Sequence, residues 1–199
     1  ILRLPIIQQY NSDGPFDVAF IEGSITNRKQ VSKIKGIRKM TKHLVSLGTC
    51  ATFGGVGAVR NKRRGFEKTQ TYKDFHFLEN IEVNPLDRHV KIDYKIRGCP
   101  PTKEEFEYVI KSIHNTGKLP LEYDNAVCVE CRKNKTPCLL GRGHDCLGPV
   151  TAGGCNALCT SKGIKCYGCR GPVSKPEKID FLVNLFSKSL NKRGGKWFF

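Results

Sequence analysis

Cysteines are the residues of this chain best suited to chemistry, and eight of the ten lie between Cys128 and Cys169. A Cys-x-x-Cys pair stands at each end of this segment, and zinc and iron–sulfur sites both use that spacing because one turn can then hold one centre. Eight thiolates are the number that two four-cysteine centres require. We call residues 128–169 the cysteine-rich segment; its candidate ligands are Cys128, Cys131, Cys138, Cys146, Cys155, Cys159, Cys166 and Cys169.

Three chemistries compete for these sulfurs. Disulfides are typical of secreted frameworks, but no apolar signal stretch opens the chain, and 199 residues can build an ordinary core. Zinc favours compact pairs a dozen or more residues apart, whereas the gaps between the inner cysteines are irregular, at six, seven, eight, three and six residues. Iron–sulfur cubanes take each thiolate from a different direction and so tolerate irregular loops. The spacing therefore favours iron–sulfur clusters.

The net charge of +16 raises nucleic acid or an anionic membrane surface as partners. Two or three thiolate-bound clusters would offset about four to six of these charges. The remaining basic residues are spread along the chain, and no nucleic-acid-binding signature accompanies them. We interpret them as solvated surface or as surface covered by an acidic partner, and predict no nucleic-acid partner. The apolar runs are short, which predicts no transmembrane segment.

Apolar periodicity predicts the elements that must position these cysteines. Two short apolar runs, each ending near a glycine, have the pattern of buried parallel strands, and the stretch between them is an amphipathic crossover helix. A later helix has Thr102 as its cap and Gly117 after its end. Glycines and prolines predict little regular structure in the cysteine-rich segment. The predicted strands are 17–23, 43–50 and 90–96, and the first helix is 26–40.

The two other cysteines, Cys50 and Cys99, stand where the second and third predicted strands end. An open α/β sheet gathers its ligands beyond the carboxyl ends of its strands, and glycines beside both cysteines allow close approach of a bulky centre. The pattern indicates half of a further metal site, because two thiolates do not complete a cubane.

Four motifs in order, DVAFIEGSI, LVSLGTCATFGG, RGCPP and the run 128–172, resemble the small subunit of nickel–iron hydrogenases. The resemblance is closest to the delta-type subunits of cytoplasmic NAD(P)-linked hydrogenases, also called sulfhydrogenases. It implies a flavodoxin-like open parallel sheet in residues 1–117, carrying a proximal [4Fe–4S] cluster. Residues 118–199 are then a loop-rich domain that binds two further [4Fe–4S] clusters and ends in an amphipathic helix at 176–192.

The resemblance also implies which cysteines share a cluster. Cys50 and Cys99 correspond to two proximal ligands; the family takes the other two from a Cys-x-x-Cys after its first strand, and we expect these to lie in an absent N-terminal stretch. The first group of the cysteine-rich segment would hold the distal cluster: Cys128, Cys131, Cys138 and Cys146. The second group would hold the medial cluster: Cys155, Cys159, Cys166 and Cys169.

Two positions depart from many relatives. Cys128 stands where a histidine is common, and Cys159 stands where a proline often reduces the medial centre to three irons. With thiolates throughout, both centres can be full cubanes of low potential. His144 is an alternative ligand close to Cys146.

The implied function is electron transfer, with no catalytic residue in this chain. Electrons would pass between the nickel–iron site of a separate large subunit and flavin-containing, NAD(P)-binding and ferredoxin-like iron–sulfur subunits in the cytoplasm. The alternatives within this superfamily are a coenzyme F420-linked or ferredoxin-linked hydrogenase and a complex-I-like respiratory complex. A zinc-stapled nucleic-acid-binding module is the alternative from a different class.

Overall fold

The computed structural model describes residues 14–62 and 82–174. The chain divides into two compact units. The first comprises Ile1–Ile96 and Phe106–Pro120, and the second comprises Arg97–Glu105 and Leu121–Phe199. The predicted helix at 176–192 lies outside the described residues.

A parallel three-stranded sheet forms the frame of the first unit. Its strands β1 (Phe16–Glu22), β2 (Thr41–Leu47) and β3 (Tyr94–Ile96) lie in the order β1-β2-β3. Helix α1 (Arg28–Lys39) connects β1 to β2 as a crossover. The prediction of an open parallel α/β sheet is confirmed.

Helix α1 begins after Asn27, whose side-chain oxygen accepts a hydrogen bond from the Gln30 N–H at 2.9 Å. The helix is therefore slightly shorter than predicted, because an asparagine is a strong N-terminal cap. Ile34 is buried, and the partly buried Val31 and Ile37 pack against the same core cluster as Leu44 of β2. The apolar stripe of the helix thus faces the sheet, as the sequence predicts.

Two strand boundaries were predicted wrongly. β2 ends at Leu47 rather than Cys50, because Gly48–Phe53 forms a short helix, α2. β3 contains only three residues, since a 3-10 helix at Leu86–Arg88 precedes it and the Val90 N–H still bonds back to the Leu86 carbonyl at 3.1 Å. Apolar side chains at 90 and 92 pack on the core without strand geometry.

Helix α3 (Lys103–Thr116) has the predicted caps. The Thr102 hydroxyl accepts from the Glu105 N–H at 3.3 Å, and Gly117, at a φ of +65°, donates its N–H to the Ile113 carbonyl at 2.9 Å. Val109 is buried beside Val45, in a cluster on which Phe106 also packs.

Residues 121–174 contain little regular structure, as predicted for the cysteine-rich segment. The helices in this described range are α4 (Val127–Lys133) and α5 (Leu158–Ser161), and 3-10 turns occur at Leu140–Arg142 and Gly148–Val150. Isolated bridges join Ala126 to Ala152 and Thr151 to Pro172. None of the helices in the described ranges is long and apolar enough to cross a membrane.

Candidate metal centre

Helix α4 carries the first Cys-x-x-Cys pair, and the chain after it brings two further thiols close. Burial raises the pKa of the Cys128 thiol to about 11, and the nearby Cys131, Cys146 and Cys138 contribute to that rise by mutual repulsion of their thiolates. These four cysteines are the predicted distal group. With a raised pKa such thiols hold their protons near neutral pH, and a metal centre that binds them as thiolates would displace those protons.

Gly148 lies between thiols of this group. A Cβ atom at this position would stand 3.4 Å from Cys128 Sγ and 3.5 Å from Cys146 Sγ, so any larger residue would enter the space that these sulfurs border. The Cys166 N–H donates to Cys146 Sγ at 3.4 Å. The donor set of thiols, two of which closely flank Gly148, fits a thiolate-bound cluster.

The predicted medial group is only partly assembled around the second Cys-x-x-Cys pair. Burial raises the pKa of Cys166, and the thiols of Cys146 and Cys169 contribute to the same shift. Cys155 packs against the buried cluster that contains Cys146 and Cys166. Cys159 is exposed on α5, and its role as the fourth ligand stays a prediction. His144 is also exposed, and it too stays an alternative.

Two buried charged residues hold the loop that carries Cys155, and the sequence analysis missed both. Glu130, between the cysteines of the first pair, is 8% exposed and accepts hydrogen bonds from the Gly154 N–H at 2.5 Å and the Ala157 N–H at 2.9 Å. Arg170 directly follows Cys169, is 2% exposed, and donates to the Gly153 carbonyl at 2.5 Å. A charged residue beside a cysteine motif is usually exposed, and only the packing distinguishes these two.

Residues next to the cysteines of each group contact thiols of the other group. Thr160, next to Cys159, places its hydroxyl 2.9 Å from Cys131 Sγ, and the Cys155 thiol faces Glu130 Oε2 at 3.8 Å. Burial raises the pKa of Cys155, and the Glu130 carboxylate adds to that shift. Each group of thiols is therefore contacted by a residue that neighbours a cysteine of the other group.

All ten cysteines lie in the described part of the chain, and all ten are free thiols, which does not fit a disulfide framework. Within residues 14–62 and 82–174, no three His, Cys, Asp or Glu side chains converge closely enough to hold a single metal ion. A cubane spreads four thiolates over four irons, so its ligands lie farther apart than those of one zinc ion.

The two remaining candidates fall in different units. Cys50 lies in α2 of the first unit, where a Cβ on Gly55 would stand 2.7 Å from its sulfur. Cys99 lies in the second unit, after Gly98. Both are exposed, and the shared proximal site stays a prediction.

The chain is an α/β protein with an open parallel sheet and a loop-rich unit that contains most of its thiols. Comparison with known proteins shows which family it belongs to. Residues 3–113 match the family described as NADH ubiquinone oxidoreductase, 20 kDa subunit. The chain belongs to this family. The match ends before Cys128 and so does not include the cysteine-rich segment.

Curated relatives extend the similarity into that segment. The chain is 38% identical to the delta subunit of sulfhydrogenase 2 of Pyrococcus furiosus over 78% of its own length and 66% of the relative. It is 28% identical to an iron–sulfur subunit of the F420-non-reducing hydrogenase of Archaeoglobus profundus, over 88% of its length and 70% of the relative. At most 12% of the chain lies outside the second of these matches, which therefore extends across residues 128–169. The chain thus spans about two thirds of these relatives.

Among solved structures, a chain of an NAD+-reducing [NiFe]-hydrogenase in the H2-reduced state matches with a TM-score of 0.50 and 26% identity, over 61% of this chain and 76% of that one. The resemblance to hydrogenase small subunits that the four motifs indicate is therefore confirmed.

Proposed function

We propose that this chain is the electron-transfer subunit of a cytoplasmic nickel–iron hydrogenase. In this proposal it connects the nickel–iron site of a large subunit with flavin-containing and iron–sulfur subunits that reduce NAD(P). The observation that carries the proposal is the gathering of four thiols, Cys128, Cys131, Cys138 and Cys146, in a chain whose relatives are named as hydrogenase subunits.

The chain's own residues would bind and shield two [4Fe–4S] clusters. Such a cluster exchanges one electron at a time. The first group of thiols would hold the distal cluster, and the second, with Cys159, the medial one. The apolar side chains of Val127, Leu139 and Leu140 pack around the sulfurs and would limit access of water, which lowers the local dielectric constant and so affects the potential. Cys50 and Cys99 would supply half of a third, proximal site.

Reduction by hydrogen tests the proposal. The tagged chain would be purified with its large subunit and, separately, alone, and each preparation would be exposed to hydrogen under anaerobic conditions. We expect the broad visible absorption of iron–sulfur clusters to bleach in the complex and to persist in the isolated chain. Bleaching of the isolated chain, or no bleaching in an active complex, would contradict the proposed division of labour.

A further inference from the structure

We propose that Glu130 is a positioning residue that sets the geometry of the Cys155 loop and lowers the reduction potential of the centre bound by Cys155. This inference rests on the proposed function, because it requires an iron–sulfur centre at the second group of thiols. Its basis is a buried polar arrangement at residues 153–157 that the cysteine motifs do not reveal.

The loop passes between a buried carboxylate and a buried guanidinium. Glu130 accepts from the N–H groups of Gly154 and Ala157, whereas Arg170 donates to the Gly153 carbonyl. The carboxylate and the guanidinium thus bind opposite ends of the Gly153–Gly154 peptide dipole before Cys155, and Glu130 alone binds the Ala157 N–H after it. Buried charged groups with several hydrogen bonds fix a backbone more firmly than neutral contacts do.

Both glycines at the start of the loop are required by this arrangement. A Cβ on Gly153 would stand 3.0 Å from Glu130 Oε1, and a Cβ on Gly154 would stand 2.9 Å from the central carbon of the Arg170 guanidinium. Asn156 and Ala157 then adopt φ angles of +53° and +51°, uncommon for residues with side chains. Backbone in such conformations persists where the surroundings impose it, and here Glu130 binds the Ala157 N–H.

The carboxylate of Glu130 lies close to the ligand sulfur, and Arg170 forms its ion pair with a different carboxylate. Glu130 Oε2 lies 3.8 Å from Cys155 Sγ, while Arg170 places its guanidinium 2.8 Å from the Glu105 carboxylate. Among the described residues, the hydrogen-bond partners of Glu130 are N–H groups and the Cys155 thiol. A buried negative charge beside a cluster ligand opposes the addition of an electron, since charges interact strongly at low dielectric.

The test is a redox titration followed by electron spin resonance on the purified, cluster-loaded protein. Glu130→Gln keeps the shape of the side chain but removes its charge, and we expect the centre bound by Cys155 to shift to a higher potential, by more than the other centre does. Glu130→Asp retains the charge at a greater distance and should give a smaller upward shift. Glu122→Gln is the matched control, because it removes an exposed carboxylate of the same unit that water screens.

Each outcome decides the inference. Full iron and sulfide content in Glu130→Gln with both potentials unchanged would overturn it. If the Glu130→Gln protein does not bind the second cluster, the Glu130→Asp protein is measured instead. A higher potential of its second centre than in the parent supports the inference, and an unchanged potential rejects it. Absence of iron and sulfide from the parent protein would instead contradict the proposed function, and this inference with it.

Discussion

At the scale of single residues, the spacing of the cysteines predicts a role for them, whereas their surroundings could not be predicted. Because metal ligands often recur at characteristic spacings, all eight thiols of the cysteine-rich segment are candidate ligands, and that assignment stays a prediction. Glu130 and Arg170 leave no such trace, since their roles arise from burial against a loop that is distant in sequence. The grouping of Cys128 with Cys131, Cys138 and Cys146 agrees with the predicted distal set, although ligation itself is not tested by geometry.

The role of Cys159 can be tested by removing its sulfur. Cys159→Ala leaves three thiolates for the medial centre, which still suffice for a three-iron cluster, so we expect a three-iron signal in the electron spin resonance spectrum of the oxidised protein. Hydrogen-dependent NAD(P) reduction should slow more than dye reduction at the large subunit. Ser161→Ala, on the same helix, is the control and should leave the spectrum unchanged. A parental spectrum in Cys159→Ala would make His144 the next candidate ligand.

The close approach of the 153–157 loop to Arg170 predicts a second residue-scale effect. Gly154→Ala places a methyl group against the guanidinium at a φ of +107°, so the loop must shift and carry Cys155 with it. We expect iron content to fall from about eight to about four per chain, as for loss of one of two cubanes. Gly163→Ala shares the positive φ but meets no atom within 4 Å, and so bears only backbone strain of about 1 kcal/mol. Equal iron content in both variants would contradict the role assigned to the loop.

At the scale of elements, the order of strands and helices followed from apolar periodicity, whereas their ends depended on side-chain hydrogen bonds. Thr102 and Gly117 bound α3 as predicted because caps act locally. Glu105 differs: its position suits a capping box, but its carboxylate pairs with Arg170. Burial raises the pKa of Glu105, and Arg170 opposes that shift. A pattern of neighbouring residues cannot predict a partner that is so distant in sequence.

A half-buried ion pair joins the end of α1 to the residue before β3 and predicts a pH-dependent stability. Asp93 pairs with Arg38 and accepts from the Leu44 N–H at 2.8 Å. Burial acts to raise the pKa of Asp93, but these hydrogen bonds and the Arg38 charge outweigh it, so the pKa is lowered. The stabilisation is therefore complete above the ordinary carboxyl pKa of about 4 and is lost as the pH falls through the lowered value.

Asp93→Asn should reduce the free energy of unfolding by about 1–3 kcal/mol at neutral pH, since Arg38 loses its partner. The difference from the parent should shrink as acid protonates Asp93. Asp87→Asn is the control: its side chain is 36% exposed, against 18% for Asp93, and its pair with Lys95 should contribute less than about 1 kcal/mol. Urea denaturation at several pH values measures both, and a difference independent of pH would refute the explanation.

At the scale of the whole molecule, four ordered motifs were sufficient to predict the family, which the comparisons confirm. The predicted division of the chain into a sheet domain at residues 1–117 and a cluster-binding domain at residues 118–199 stays a prediction. The net charge of +16 is compatible with the proposed electron-transfer function. Bound clusters would add negative charge, and acidic partners could cover the basic surface that remains.

The central claim is that the cysteine-rich segment holds two [4Fe–4S] clusters, and metal content tests it most directly. Iron, acid-labile sulfide and zinc should be measured together on protein purified under anaerobic conditions. The account predicts about eight irons and about eight sulfides per chain, rising to about twelve of each if a proximal site is filled. Stoichiometric zinc with negligible sulfide would contradict it.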